Sequence, residues 1–304
     1  MIDFLKRFFG GDLWWSFKSS PIVVTAAIIT FVMVFSSAFA NIVAPYNIFD
    51  LTQFDLMDSL KPPVWMERGE IGFLLGTDDQ GRDVLSTILY GSRVSLMVGF
   101  FSVISAMVLG IIVGLVAGYS GGWVDAVLMR IADVQLSFPA ILIALLVNGI
   151  ISGLLPGEAQ ADLAVYVLII AISLSFWVQY ARTVRSSTMV ERTKEYVQAA
   201  QVIGLPQPLI LLRHILPNVM GPVLVIATIQ LALAIITEAT LSFLGVGVPP
   251  TSPSLGTLIR IGNDYLFSGE WWITVFPGLA LVILVLAVNI LGDWLRDALN
   301  PKLR

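Results

Sequence analysis

With 304 residues, 57% of them hydrophobic and only 12% charged, the chain is too apolar for a soluble domain, where about a quarter of residues carry charge. A mean hydropathy of +0.88 and successive uncharged runs of about 18 residues or more point to a polytopic helical membrane protein and not to a β-barrel, whose strands alternate over about ten residues. The absence of cysteine excludes disulfides and thiolate metal centres, and the net charge of −4 says little about partners, because sign is distributed by side of the membrane.

Six membrane spans are predicted, near 22–43, 94–119, 134–155, 163–181, 219–241 and 272–291, in an all-α fold. Lys6, Arg7 and Lys18 precede the first span, and Ala38-Phe39-Ala40 has the look of a signal-cleavage site. The apolar run exceeds the roughly 7–15 residues of a secretory signal, so an uncleaved anchor is expected. A cytoplasmic N-terminus then puts Lys6, Arg7, Lys18, Arg130, Arg182, Arg185, Arg192, Lys194, Arg213, Arg296, Lys302 and Arg304 inside. Lys61, Arg68, Arg82, Arg93 and Arg260 stay outside, mostly in one long loop, which satisfies the positive-inside rule with both termini cytoplasmic.

The outer loop, 44–93, is acidic, carries Pro45, Pro62 and Pro63, and is expected to be ordered outside the bilayer. Its stretch "GTDDQGRD" has the glycine spacing of a phosphate-binding loop, but Arg82 and Asp83 stand where Lys and Ser/Thr are needed. Asp78 and Asp79 would repel a phosphate, and an EF-hand's spacing and terminal Glu are missing. The stretch therefore reads as a turn and helix N-cap leading into the amphipathic "VLSTILYGSRVSL". In the second span Ser102, Ala106, Gly110, Gly114 and Gly118 place a small residue at every fourth position. One face is nearly flat and specifies close helix–helix packing, either within the chain or with another subunit.

Between the fourth and fifth spans lies "EYVQAAQVIGLPQPLILLRHILPN", from Glu195 to Asn218. Thr193 is the expected N-cap, and Glu195 in the first turn suits the helix dipole. The helix should run to about Ile203, with Gly204 as a left-handed C-cap and Pro206 and Pro208 preventing continuation. It is too short to span. The slim face of Ala199 and Ala200 suits a groove on a partner, the alternative being a plain interfacial helix. Pro217 is expected to mark the return into the membrane. His214, the sole histidine, leaves no His-rich metal site and no Ser-His-Asp triad. No catalytic, cofactor-binding or metal-binding residue is identified; energy for any driven process would come from a partner.

Glu238 is the one clear acid inside a span and should face a partner helix, a pore or the outer interface. Counted from Pro217 it lies roughly 30 Å along the helix, near the outer surface, where an interfacial charge and a solute contact are both open. After it, "LSFLGVGVPP" stops the helix with Gly245, Gly247, Pro249 and Pro250. Broken backbone at a membrane face requires protein or a water-filled cavity around it, so Glu238, Ser242, Gly245 and Gly247 are candidate gate or pore-lining residues. Residues 1–93 (N-terminal segment, first span, outer loop) and 94–304 (a five-helix core with a cytoplasmic loop at 182–217) form the expected division.

Spacing carries a resemblance. Gln198-Ala199-Ala200, three residues, Gly204, nine residues and then His214-Ile215-Leu216-Pro217 resemble the EAA loop of the membrane subunits of binding-protein-dependent ABC importers, with Gln198 at the pattern's Glu and His214 at its Ile. Together with "LGTDDQGRDVLSTILYGSRVSL", "AGYSGGWVDAVLMRIADVQLSFP", "LSFLGVGVPP" and "GDWLRDALNPKLR", nearly the whole chain is similar to the C-type permease subunit of the dipeptide/oligopeptide/nickel branch. The resemblance implies a type I importer permease (MetI-like) core in a bacterial cytoplasmic (inner) membrane. It implies a second homologous permease subunit, two ATPase subunits that bind ATP and Mg, and an extracytoplasmic solute-binding protein. ATPase coupling would fall to Glu195, Tyr196, Gln198, Ala199, Ala200, Gly204 and Pro217. The expected solute is a peptide; similar permeases also handle nickel, glutathione, sugars and opines. An ion-coupled secondary carrier using Glu238, and a membrane scaffold, are the competing readings.

Overall fold

In hydrocarbon every backbone polar group must be satisfied within the segment, so uncharged apolar runs fold as helices. The computed structural model describes residues 12–299; Lys6, Arg7, Lys302 and Arg304 lie outside them. The main helices are α1 Asp12–Ser19, α2 Pro21–Ala38, α3 Val84–Ser120, α4 Gly122–Leu136, α5 Ala140–Leu154, α6 Gly157–Glu191 and α7 Glu195–Val202. They are followed by α8 Gln207–Phe243, α9 Leu255–Asn263 and α10 Trp272–Leu299. Among the described residues the sole β pairing is an isolated bridge between Thr77 and Asp83.

Five helices (α2, α3, α6, α8 and α10) are long and apolar enough to cross a membrane. The expected third span is not one helix: α4 and α5 meet at a 97° bend and count as a sixth crossing only as a broken pair. Pro139 supplies the break. It has no N–H to continue α4 and stands instead as the N-cap residue of α5. Two other spans are longer than their apolar runs. α3 has 37 residues and α6 has 35, each over about 50 Å long, so both project well beyond a hydrocarbon layer of about 30 Å.

α3 and α8 contribute to two buried clusters and form the centre of the bundle. One cluster joins them to α5, α6 and α7 through residues such as Val98, Leu168, Tyr180, Val197 and Ile215. The other joins them to α9 and α10 through Ile88, Ile235, Leu258 and Leu284. α2 packs on α10 and α3, and leaves Ile22 and Phe31 exposed for lipid or another subunit. The small-residue stripe of α3 faces α6, within the chain. A methyl added at Gly110 would lie 2.7 Å from the Trp177 carbonyl oxygen; at Gly114, 2.6 Å from that of Ala181; at Gly118, 2.7 Å from that of Arg185. Ala106 is fully buried on the same line, and the Ser102 carbonyl accepts a hydrogen bond from Ser173 Oγ at 3.2 Å.

The segment 44–83 folds over one end of the bundle, here the loop end. Asp78 accepts hydrogen bonds from the backbone N–H groups of Gln80 and Arg82 and pairs with Arg82 Nε at 2.7 Å. Trp272 Nε1 donates to the Thr77 carbonyl at 3.1 Å. "GTDDQGRD" is thus a turn whose last residue, Asp83, caps α3 by accepting from Ser86 N at 2.7 Å. The lead-in that follows is not amphipathic: from Val84 to Ser92 every residue is buried or half-buried, against the loop, α9 and α10.

Candidate functional site

The two ends of α8 carry the features that matter for function. At the end opposite the loop, α7 joins α6 to α8. Lys194, not Thr193, is its N-cap residue, and the Thr193 hydroxyl donates back to the Val190 carbonyl. Glu195 occupies the first turn and is exposed. Val197 and Ala200 are buried against the start of α8. The alanine pair is therefore split: Ala200 holds the helix down, while Ala199, Gln198 and Glu195 face out. Val202 and Ile203 extend that outward face, at 88% and 77% exposure, which an apolar pair at a helix end does not announce in sequence. α7 closes with Gly204 at φ +84°, Leu205 N donating to Ala200 O at 3.1 Å and Gly204 N to Gln201 O at 3.0 Å. That is a Schellman turn, which favours glycine at the left-handed position.

Tyr196 fastens α7 to both neighbouring spans. Its hydroxyl donates to Glu191 at the end of α6 and accepts from Asn218 Nδ2 of α8 at 3.1 Å. Burial and the Glu191 carboxylate push the phenol up to about 12, so it stays a donor at neutral pH. Around the same end, Arg185 pairs with Asp125 and Arg182 with Asp133, binding α4 to α6, and Arg192 Nη1 donates to the carbonyls of Gly118 and Tyr119. α8 starts at Gln207 and not at Pro217. Its residues Leu211–Ile215 form a π turn, and Pro217 sits in the first turn of the α-helical stretch beyond it, with no break in the rod. His214 lies within that π turn, its carbonyl accepting from Asn218 Nδ2 at 2.7 Å.

At the loop end α8 closes with a second Schellman turn: Gly245 at φ +81°, Val246 N donating to Leu241 O at 3.0 Å and Gly245 N to Ser242 O at 3.1 Å. The broken segment beyond it lines a cavity of about 410 Å³ shared with α5, the start of α6 and α9. Gly245 and Gly247 are on its wall; Glu238 and Ser242 are behind it. Glu238 is neither at a lipid interface nor on the cavity. It is fully buried, accepting from Ser95 Oγ of α3 at 2.6 Å and from Ser242 Oγ at 2.7 Å. Ser95 Oγ in turn accepts from Leu255 N at 3.3 Å, so the carboxylate joins α3, α8 and α9. Gly247 approaches so closely that an added methyl would overlap Ser242 Oγ at 2.0 Å. Asn148 of α5 donates to the Val246 carbonyl at 2.8 Å, fixing the turn from the other side. Arg82 Nη1 reaches the Pro250 carbonyl at 3.3 Å, which ties the loop 44–83 to the cavity wall.

This membrane bundle has known counterparts in sequence and in fold. The profile described as "Binding-protein-dependent transport system inner membrane component" matches residues 110–304, and that of the "N-terminal TM domain of oligopeptide transport permease C" matches 9–63. The chain belongs to this permease family. It is the membrane subunit of an ABC importer, multi-pass in the inner membrane. The chain is 37% identical to the di/tripeptide transport system permease protein DppC of Pseudomonas aeruginosa, over 96% of this chain and 92% of that one. It is 35% identical to the glutathione transport system permease protein GsiD of Pectobacterium atrosepticum, over 96% and 91%. In fold it resembles the permease of the inward-facing MetNI methionine ABC transporter, with a TM-score of 0.55 at 19% identity over 70% of this chain and 96% of that one. The permease fold expected from the sequence is thus the observed one, with its third crossing broken.

Proposed function

We propose that this permease forms half of a translocation pathway for di- and oligopeptides, paired with a second homologous permease subunit. Two ATPase subunits, which carry the ATP and Mg, dock on α7, and an extracytoplasmic binding protein delivers the solute to the loop end. Both termini and α7 are cytoplasmic; the loop and the cavity are outside. Residues 1–93 act as anchor and outer loop, and 94–304 as the permease core. The observation that carries the mechanism is α7 itself: a short helix with an exposed face, bound to two spans by Tyr196 and seated by Val197 and Ala200. A push on such a helix moves α6 and α8 together. The peptide reading is supported by near full-length similarity to a di/tripeptide permease.

On this reading the chain transforms nothing chemically; ATP closes the ATPase pair, and α7 transmits that closure along α8 to the broken segment. An ion-coupled carrier would need a carboxylate that meets the pathway, and Glu238 has both oxygens engaged by serines behind the wall. The purified assembly should contain a second permease and two ATPase subunits, with ATP hydrolysis raised by loaded binding protein. Uptake that persists without the ATPases would favour the carrier. Gly204→Asp puts a branched side chain at a left-handed position on the docking face. It should leave membrane insertion intact and abolish uptake; normal uptake with normal stimulated ATPase activity would overturn the coupling assignment.

A further inference from the structure

The cavity at the loop end contains a charge that no role described so far uses. Arg260 sits on α9, a nine-residue helix held from both ends. Its cap residue Ser254 accepts from Thr257 N at 3.3 Å, and Gly262 is pressed against the backbone of Ile273 and Thr274. The guanidinium is thereby delivered over the Schellman turn of α8, where a methyl on Gly245 would lie 3.1 Å from Arg260 Nη1. Gly245 thus serves two needs, a left-handed backbone and room for the arginine. Arg260 Nε is buried without a hydrogen-bond partner, and among the described residues Arg260 makes no ion pair. Its companions on the wall include the polar side chains of Asn148, Ser152 and Gln160, and among the described residues no carboxylate. An unpaired, partly desolvated guanidinium in a polar cavity is costly unless an anion visits it, and its planar fork matches the two oxygens of a carboxylate or a phosphate.

We propose that Arg260 receives the carboxylate of the solute as it passes from the binding protein into the pathway. This inference rests on the peptide reading, since a short peptide always brings one carboxyl terminus. It makes Arg260 a specificity-determining residue, in the permease itself, for solutes that carry a carboxylate.

The absence of cysteine makes Arg260→Cys a unique thiol in this chain. In the reconstituted complex with its binding protein, Arg260→Cys should lower peptide uptake about tenfold or more, the size expected for loss of a charged hydrogen bond. Reaction with an aminoethyl thiosulfonate, which restores a positive charge, should recover most of the uptake, and a sulfonatoethyl reagent should not, with the unsubstituted complex treated alike as control. Peptide-loaded binding protein should slow the modification, and unloaded binding protein should not. Uptake unchanged by the substitution, equal recovery with both reagents, or no protection by peptide would overturn the assignment. So would loss of the second permease subunit on purification, which would mark Arg260 as a subunit contact. If the unsubstituted complex takes up no peptide while importing another solute, the peptide reading itself fails; peptide uptake with any of the former results leaves that reading standing and removes Arg260 alone.

Discussion

Glu238 illustrates how far a single side chain can be read from its neighbours in sequence. Its position near the loop end of α8 follows from counting residues along the helix, but Ser95, which occupies one of its oxygens, is 143 residues away. No local pattern announces that pairing, and so a buried structural carboxylate looks like an interfacial or pathway charge. Its removal tests the difference. Glu238→Ala strands two buried hydroxyls and leaves a void, which should cost about 2–4 kcal/mol and lower the unfolding temperature of the solubilised complex. Glu238→Gln keeps the volume and one acceptor, and should cost clearly less. Equal losses in the two variants would assign the effect to the charge and not to the hydrogen bonds. Gly204 and Gly245 were more legible, because a glycine just past an apolar helix has one common use, and both close Schellman turns.

The helices divide into those whose partner is written in the sequence and those whose partner is not. A small residue at every fourth position of α3 declares a flat face, yet the receiving stretch of α6, from Trp177 to Thr188, mixes aromatic, polar and charged residues and gives no sign that it takes that face. The contact is backbone to backbone, so it has little room to yield. Gly114→Ala should destabilise the complex by about 1–3 kcal/mol or more, as overpacking does. Gly278→Ala in α10, where an added methyl meets nothing within 4 Å, should be neutral or stabilising. Thermal aggregation of the two variants gives the comparison, and similar behaviour would remove the packing role from the stripe. Span boundaries were legible only where charge stops an apolar run. The 97° bend between α4 and α5 was not, because Pro139 interrupts a run whose hydropathy alone continues unbroken. The true start of α8 was missed for the converse reason: Pro206 and Pro208 read as stops and Pro217 as the point of re-entry, although proline is tolerated in a helix's first turn and the π turn before Pro217 absorbs the missing donor.

Across the permease as a whole, one buried cluster runs from Val197 and Ala200 of α7 to Val248 on the cavity wall, and the loop 44–83 is tied to that wall by a long-range hydrogen bond. The Arg82 link to Pro250 connects the surface that would meet a binding protein with the wall that would meet the solute. Arg82→Gln breaks that link and also leaves Asp78 buried without its partner, a loss of about 3–5 kcal/mol for a buried pair. The loop should then become sensitive to limited proteolysis. Combining Arg82→Gln with Asp78→Asn should restore much of the protease resistance while binding-protein-dependent uptake stays low. Recovery of both together would reduce the link to simple loop stability.

The π turn at Leu211–Ile215 has a genetic consequence. A π turn accommodates one residue more than the regular helix around it, so the deletion of a single residue there would leave a sound α-helix. The segments on either side would keep nearly the same rotation about the helix axis, because the extra residue is taken up within a single turn. α7 would keep its exposed face where it is, shifted along the axis by no more than about 1.5 Å. Single-codon deletions between 211 and 215 should therefore be inherited without loss of expression or uptake. A single-codon deletion in the regular helix beyond Pro217 should instead turn α7 by about 100° relative to the loop end of α8 and uncouple uptake from ATP hydrolysis.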